Sequence, residues 1–139
     1  MNSGPPSPLA GQGPALAAVA AGGVLGALAR YAIGLELPHS PGTFPLATFL
    51  INIAGCLLIG VLIVVITEWT TAHPLVRPFL VTGVLGGFTT FSTYAVDTGE
   101  LLRAGLVATA CAYLVGTLAA ALAATWLGIR LARAAGGVR

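Results

Sequence analysis

Four apolar runs joined by connectors of ten residues or fewer leave this chain few folds to adopt. The runs cover about Ala15–Leu35, Leu46–Thr67, Pro78–Leu102 and Ala104–Leu127. Each approaches or exceeds the ~20 residues a helix needs to cross the hydrocarbon core of a bilayer. Glu36–Pro45, Glu68–Arg77 and a turn at Glu100–Arg103 connect them, and none can hold a soluble domain. Only 7% of residues are charged, against roughly a quarter in soluble domains. The chain therefore reads as an all-α integral membrane protein with four transmembrane helices and both termini on one side. Residues 1–14 read as a disordered lead-in, 15–129 as the membrane domain and 130–139 as a basic tail.

The few polar residues set further limits. The net charge of +2 comes from scattered arginines without a lysine, so no basic patch points to nucleic acid. Met1–Gly13 is uncharged and lacks the basic start of a signal peptide. Arg77, Arg130, Arg133 and Arg139 lie on the side of the termini, Arg30 and Arg103 on the other. That bias is too small to fix one orientation, so the chain can insert either way. Trp69 and Trp126, near span ends, read as anchors in the lipid interface. Cys56 and Cys111 fall inside apolar runs and read as small core residues, without disulfide or metal spacing. Gly22, Gly26 and Gly34, and separately Gly116, Ala120, Ala124 and Gly128, form small-residue rows along which membrane helices pack closely. Four short spans enclose little, so an ion path requires a second copy.

The third run departs from the pattern at Gly86-Gly87-Phe88-Thr89-Thr90-Phe91-Ser92-Thr93-Tyr94. Paired glycines favour a break in the helix. A break in mid-bilayer is tolerated only where the freed backbone is buried in protein or faces a polar cavity. A first half-helix starting at Pro78 would be about eight residues, or ~12 Å, which puts Gly86 near the midplane. Carbonyls freed there can hold a small cation, and freed amides can attract an anion. Phe91 and Tyr94, three apart, share a helix face, and the positive edges of their rings can support an anion. Asn52, the only strongly polar side chain in the second run, is either a pore donor or an interhelical hydrogen bond. Thr109, Tyr113 and Thr117 recur every four residues as a hydroxyl row. Arg30 either snorkels to the interface or gathers anions at a pathway mouth. Asp97 and Glu100 read as solvated, or paired with Arg103.

Absences narrow the function. Runs one, two and four hold no deep carboxylate, which a small proton-coupled drug or cation exporter of dual topology would need. That exporter is the alternative transport reading; a membrane scaffold is the non-transport one. No nucleophile stands with a base, no His/Cys cluster is present, and His39 and His73 both lie in loops. Enzyme activity has nothing to rest on.

At these residues the chain resembles the bacterial fluoride channels of the CrcB family. Four stretches carry the likeness: Gly22–Tyr31, Pro45–Gly55, Thr82–Tyr94 and, more weakly, Tyr113–Thr117. The third, GVLGGFTTFSTY after Thr82, is highly specific. The resemblance implies a dual-topology antiparallel homodimer in the bacterial inner membrane, with two fluoride pores along the dimer interface. It implies passive export: protonated fluoride enters an acidified cell, dissociates and leaves as the anion. It further implies a structural Na⁺ held by backbone carbonyls around Gly86 and Thr89. The pore lining it implies is Asn52, Phe91, Tyr94, Ser92 and Thr93, with Thr109, Tyr113 and Thr117 as the polar track and Arg30 at the vestibule. The second ring position, usually Phe in that family, is Tyr94 here.

Overall fold

A computed structural model describes residues 11–40, 42–69 and 71–137. The first span is α1, Gly13–Glu36, with a proline in its first turn, where a missing N–H costs nothing. The second is α2, Leu46–Val64, which widens into a π-helical end at Val65–Trp69. The third begins as α3, π-helical over Pro78–Leu85 and α-helical over Gly86–Phe88. It resumes as α4, Phe91–Arg103. The last is α5, Val107–Ala135. The four spans Gly13–Glu36, Leu46–Trp69, Pro78–Arg103 and Val107–Ala135 are long and apolar enough to cross a membrane. The all-helical, four-span expectation therefore holds.

Several boundaries move. α1 begins at Gly13, before the expected lead-in ends; residues 1–10 of that lead-in lie outside the described residues. The Glu100–Arg103 turn is helical, and the chain turns instead at Ala104–Leu106, where Gly105 has φ 76°. Residues 130–135 of the expected basic tail continue α5. Arg133 there grips Glu68 through two nitrogens, at 2.7 and 3.0 Å, closing the end of α5 onto the end of α2. This pair is open to solvent, where water and salt screen it, so it adds little to stability.

Packing runs in two pairs, α1 with α3 and α2 with α5, and glycines set both. A Cβ on Gly22 would strike the Phe79 carbonyl, and one on Gly26 the Val84 carbonyl. Gly60 and Gly128 bring α2 and α5 together in the same way, against the backbones of Thr125 and Leu57. Close backbone approach is what joins helices in lipid, where the surroundings are as apolar as the contact. Gly34 and Gly116 have no neighbour within 4 Å, so each expected row packs over only part of its length.

Candidate functional site

The break falls at Thr89 and Thr90, later than the glycines that announced it. Thr89 (φ −73°, ψ 157°) and Thr90 (φ −147°, ψ 123°) are extended. Gly86 keeps a helical backbone at φ −65°. Gly87 serves close contact instead, since a Cβ there would meet the Gly23 carbonyl. Gly55 does likewise for α2, leaving room for the methyl of Thr89.

The peptide groups of Thr90 are then reassigned. In an unbroken helix the Thr90 amide would bond the Gly86 carbonyl. Here it donates to Asn52 Oδ1 at 2.8 Å, while Asn52 Nδ2 donates to the Thr90 carbonyl at 3.0 Å. A side-chain amide can match a peptide group in this way because it carries one acceptor and two donor protons. The Thr90 hydroxyl caps α4, accepting from the Thr93 amide at 3.1 Å, and its oxygen lies 3.0 Å from Thr93 Oγ1 and 3.2 Å from Ser92 Oγ. Arg30 reaches in from α1 and donates through Nε to the Gly87 carbonyl at 3.1 Å. It thus does not simply snorkel: it fastens α1 to the last turn before the break.

Two cavities flank Thr90. The first, about 310 Å³, is lined by Asn52, Thr90, Phe91, Tyr94 and Thr117 among others. The second, about 440 Å³, runs past Arg30, Thr48, Thr93 and His39. Thr117 is 5% exposed, and among the described residues its hydroxyl has no hydrogen-bond partner, although it borders the first cavity. A buried hydroxyl normally has a partner, so this one implies something polar within the cavity. Asn52 likewise retains one N–H beyond its bond to Thr90.

The hydroxyl row on α5 divides. Thr117 borders the cavity, whereas Thr109 is half-buried and lines neither. Tyr113 is fully buried and donates to Asp97 Oδ2 at 3.2 Å. Asp97 is only 4% exposed, which corrects the expectation of a solvated or Arg103-paired carboxylate. The rings join into a chain. Phe91 and Tyr94 are 5.7 Å apart, Tyr94 and Tyr113 5.3 Å, and Phe44 stands 5.3 Å from both Tyr113 and Phe49. Phe91 is 79% exposed, presenting its ring outward from the single chain. Sequence reasoning passed over Thr90 as a two-cavity residue and Phe44 as part of the ring chain. The signal for Thr90 was present, in an isolated span-two amide opposite a run of hydroxyls.

Tyr94 donates its hydroxyl to the Leu114 carbonyl at 2.7 Å. Its single proton is therefore directed into α5 and away from the cavity. Tyr94→Phe should cost on the order of 1 kcal/mol in stability, the usual net worth of one such bond. Thermal melting would check this; a loss well above that would mean the phenol holds more than the Leu114 carbonyl.

The profile of the family described as CrcB-like protein, Camphor Resistance (CrcB), matches residues 17–129. The fluoride-specific ion channel FluC 1 of Streptomyces coelicolor is 57% identical over 122 residues, covering 88% of this chain and 79% of that one. FluC 2 of Streptomyces avermitilis is 58% identical over 108 residues, covering 78% and 68%. FluC 2 of Nocardia farcinica is 52% identical over 122 residues, covering 88% and 87%. With four membrane-crossing helices and these relatives, the chain is a multi-pass bacterial membrane protein, and it belongs to the CrcB family.

Proposed function

We propose that this chain is a fluoride-selective channel that exports F⁻ passively, and that the first cavity is part of its path. One observation carries the reading: a break in the third span borders a cavity that offers unused hydrogen-bond donors and no formal charge. Fluoride is small and strongly hydrated, so stripping its water is expensive. The spare Asn52 N–H, the Thr117 hydroxyl and the ring edges of Phe91 and Tyr94 can replace that water. Several moderate sites let an ion leave as well as enter. Arg30 is bonded to Gly87 and lines the other cavity, so no guanidinium holds an anion in the first. Its charge is placed to raise the local concentration of anions nearby. Relatives named as ion channels support a transport role and no enzymatic one.

The outward ring of Phe91 supports pairing with a second, antiparallel copy that would cover it. Na⁺ fits the break. Gly86 is exposed and its carbonyl has lost the Thr90 amide, while Thr89 is extended. Oxygen donors of this kind suit a hard cation. When bound, Na⁺ would supply a fixed positive charge. The Gly86 and Thr89 carbonyls would hold it and keep the break in register across the pair.

Purified protein in liposomes loaded with fluoride should release it within seconds of adding a potassium ionophore, with chloride retained. Equal chloride flux, or flux of neither anion, would refute the reading. Proton-coupled uptake of an organic cation would replace it with the exporter.

A further inference from the structure

His39, Asp97 and Glu100 converge outside the first cavity. Their ligand atoms all lie within 4.8 Å of one another, with His39 and Glu100 exposed and Asp97 buried. The sequence separates them widely, which is why a loop histidine suggested nothing. Asp97 and Glu100 are three apart on α4 and so share a face. His39 is delivered by the connector between α1 and α2, which packing holds down. Pro45 is fully buried there, and Phe44 stacks edge-on against Tyr113 and Phe49.

Asp97 supplies the independent reason to expect a ligand. A carboxylate this buried normally has a cationic partner or several donors. Its only described hydrogen bond comes from the Tyr113 phenol, to Oδ2. Among the described residues the ion pair is Arg133 with Glu68, so no arginine neutralises Asp97. Oδ1 has no described donor and is not among the fully enclosed atoms that lack a partner, so it stays open to a ligand from outside the chain. The phenol meanwhile fixes the carboxylate's orientation, as outer partners of metal-binding carboxylates do.

We propose that His39, Asp97 and Glu100 bind a divalent transition-metal ion such as Zn²⁺. One imidazole with two carboxylates suits such a cation better than Ca²⁺ or Mg²⁺, which favour all-oxygen sites. Three protein ligands leave one tetrahedral position open to water. The ion would bind the α1–α2 connector to α4, beside the mouth of the second cavity, which His39 also lines.

The test is calorimetric titration of Zn²⁺ alone into detergent-purified protein freed of any histidine tag. One saturable Zn²⁺ per chain is expected, with a raised melting temperature, and excess Ca²⁺ should not displace it. His39→Ala and Glu100→Gln, both at exposed side chains, should each weaken binding by at least about tenfold. His73→Ala should bind as the wild type does. Absence of saturable binding, unchanged affinity in both site variants, or loss of binding in His73→Ala would each overturn the assignment. Fluoride flux plays no part in this readout, so it stands or falls apart from the transport reading.

Discussion

Asn52→Asp should reduce fluoride efflux by at least about 100-fold, the equivalent of roughly 2.7 kcal/mol. Two effects act in the same direction. Asn52 holds Thr90 with one acceptor and one donor. A carboxylate keeps the acceptor for the Thr90 amide but turns a second oxygen toward the Thr90 carbonyl. At 9% exposure, water does little to screen that repulsion, and an unsatisfied buried group of this sort costs about 1–3 kcal/mol, more when charged. The same substitution puts a negative charge on the wall of the cavity an anion would cross. Asn52→Leu separates the two effects, because it removes the clasp without adding charge. It should lower stability and flux together, whereas Asn52→Asp should lower flux further than its melting temperature explains. Efflux normalised to folded protein is the measurement, and an Asn52→Asp rate within about threefold of wild type would show that Asn52 is only an interhelical bond.

Gly26→Val should prevent recovery of folded protein altogether. The added Cβ would meet the Val84 carbonyl and stand 2.7 Å from the Phe88 amide nitrogen. Both are backbone atoms of α3, so no side chain can swing aside. Overpacking typically costs 1–3 kcal/mol where side chains can yield, and here about 3 kcal/mol or more is expected. The damage reaches the site, because α3 carries the break and Arg30 joins α1 to Gly87 one turn further on. Gly34→Val is the control. It lies on the same helix with nothing within 4 Å, and should stay within about 0.5 kcal/mol of wild type. The readout is monodisperse yield in detergent. Wild-type yield of Gly26→Val would mean that α1 and α3 are not held backbone to backbone.

Much of this was legible in the sequence because lipid simplifies the problem. Backbone polar groups must be satisfied within each segment, so long apolar runs become helices and only exceptional residues interrupt them. The interruption near Gly86–Tyr94 could be read from that rule. Its exact place could not. Glycine permits both a bend and a close contact, and only the neighbouring helix decides between them. Gly87 faces Gly23, so it stays helical, and the bend passes to two threonines that Asn52 and the Thr90 cap can satisfy. Asp97 was misjudged for a related reason. Its position near a span end suggested solvent, but the partner that buries it, Tyr113, comes from another helix. The hydroxyl row on α5 divided because spacing along one helix fixes a face and not what lies opposite.

The Asn52–Thr90 clasp also has a temporal meaning. A bend held by two buried hydrogen bonds is part of the resting backbone, and on the path proposed above nothing at the break would have to swing for an ion to pass. The groups left free to move are a hydroxyl and ring edges, whose reorientation takes picoseconds to nanoseconds where lids and hinges take microseconds or longer. A conduit on that proposed path would need no shutter at the bend. The cell that carries it must rely on discrimination alone, because every chloride admitted would be a standing leak of its membrane potential.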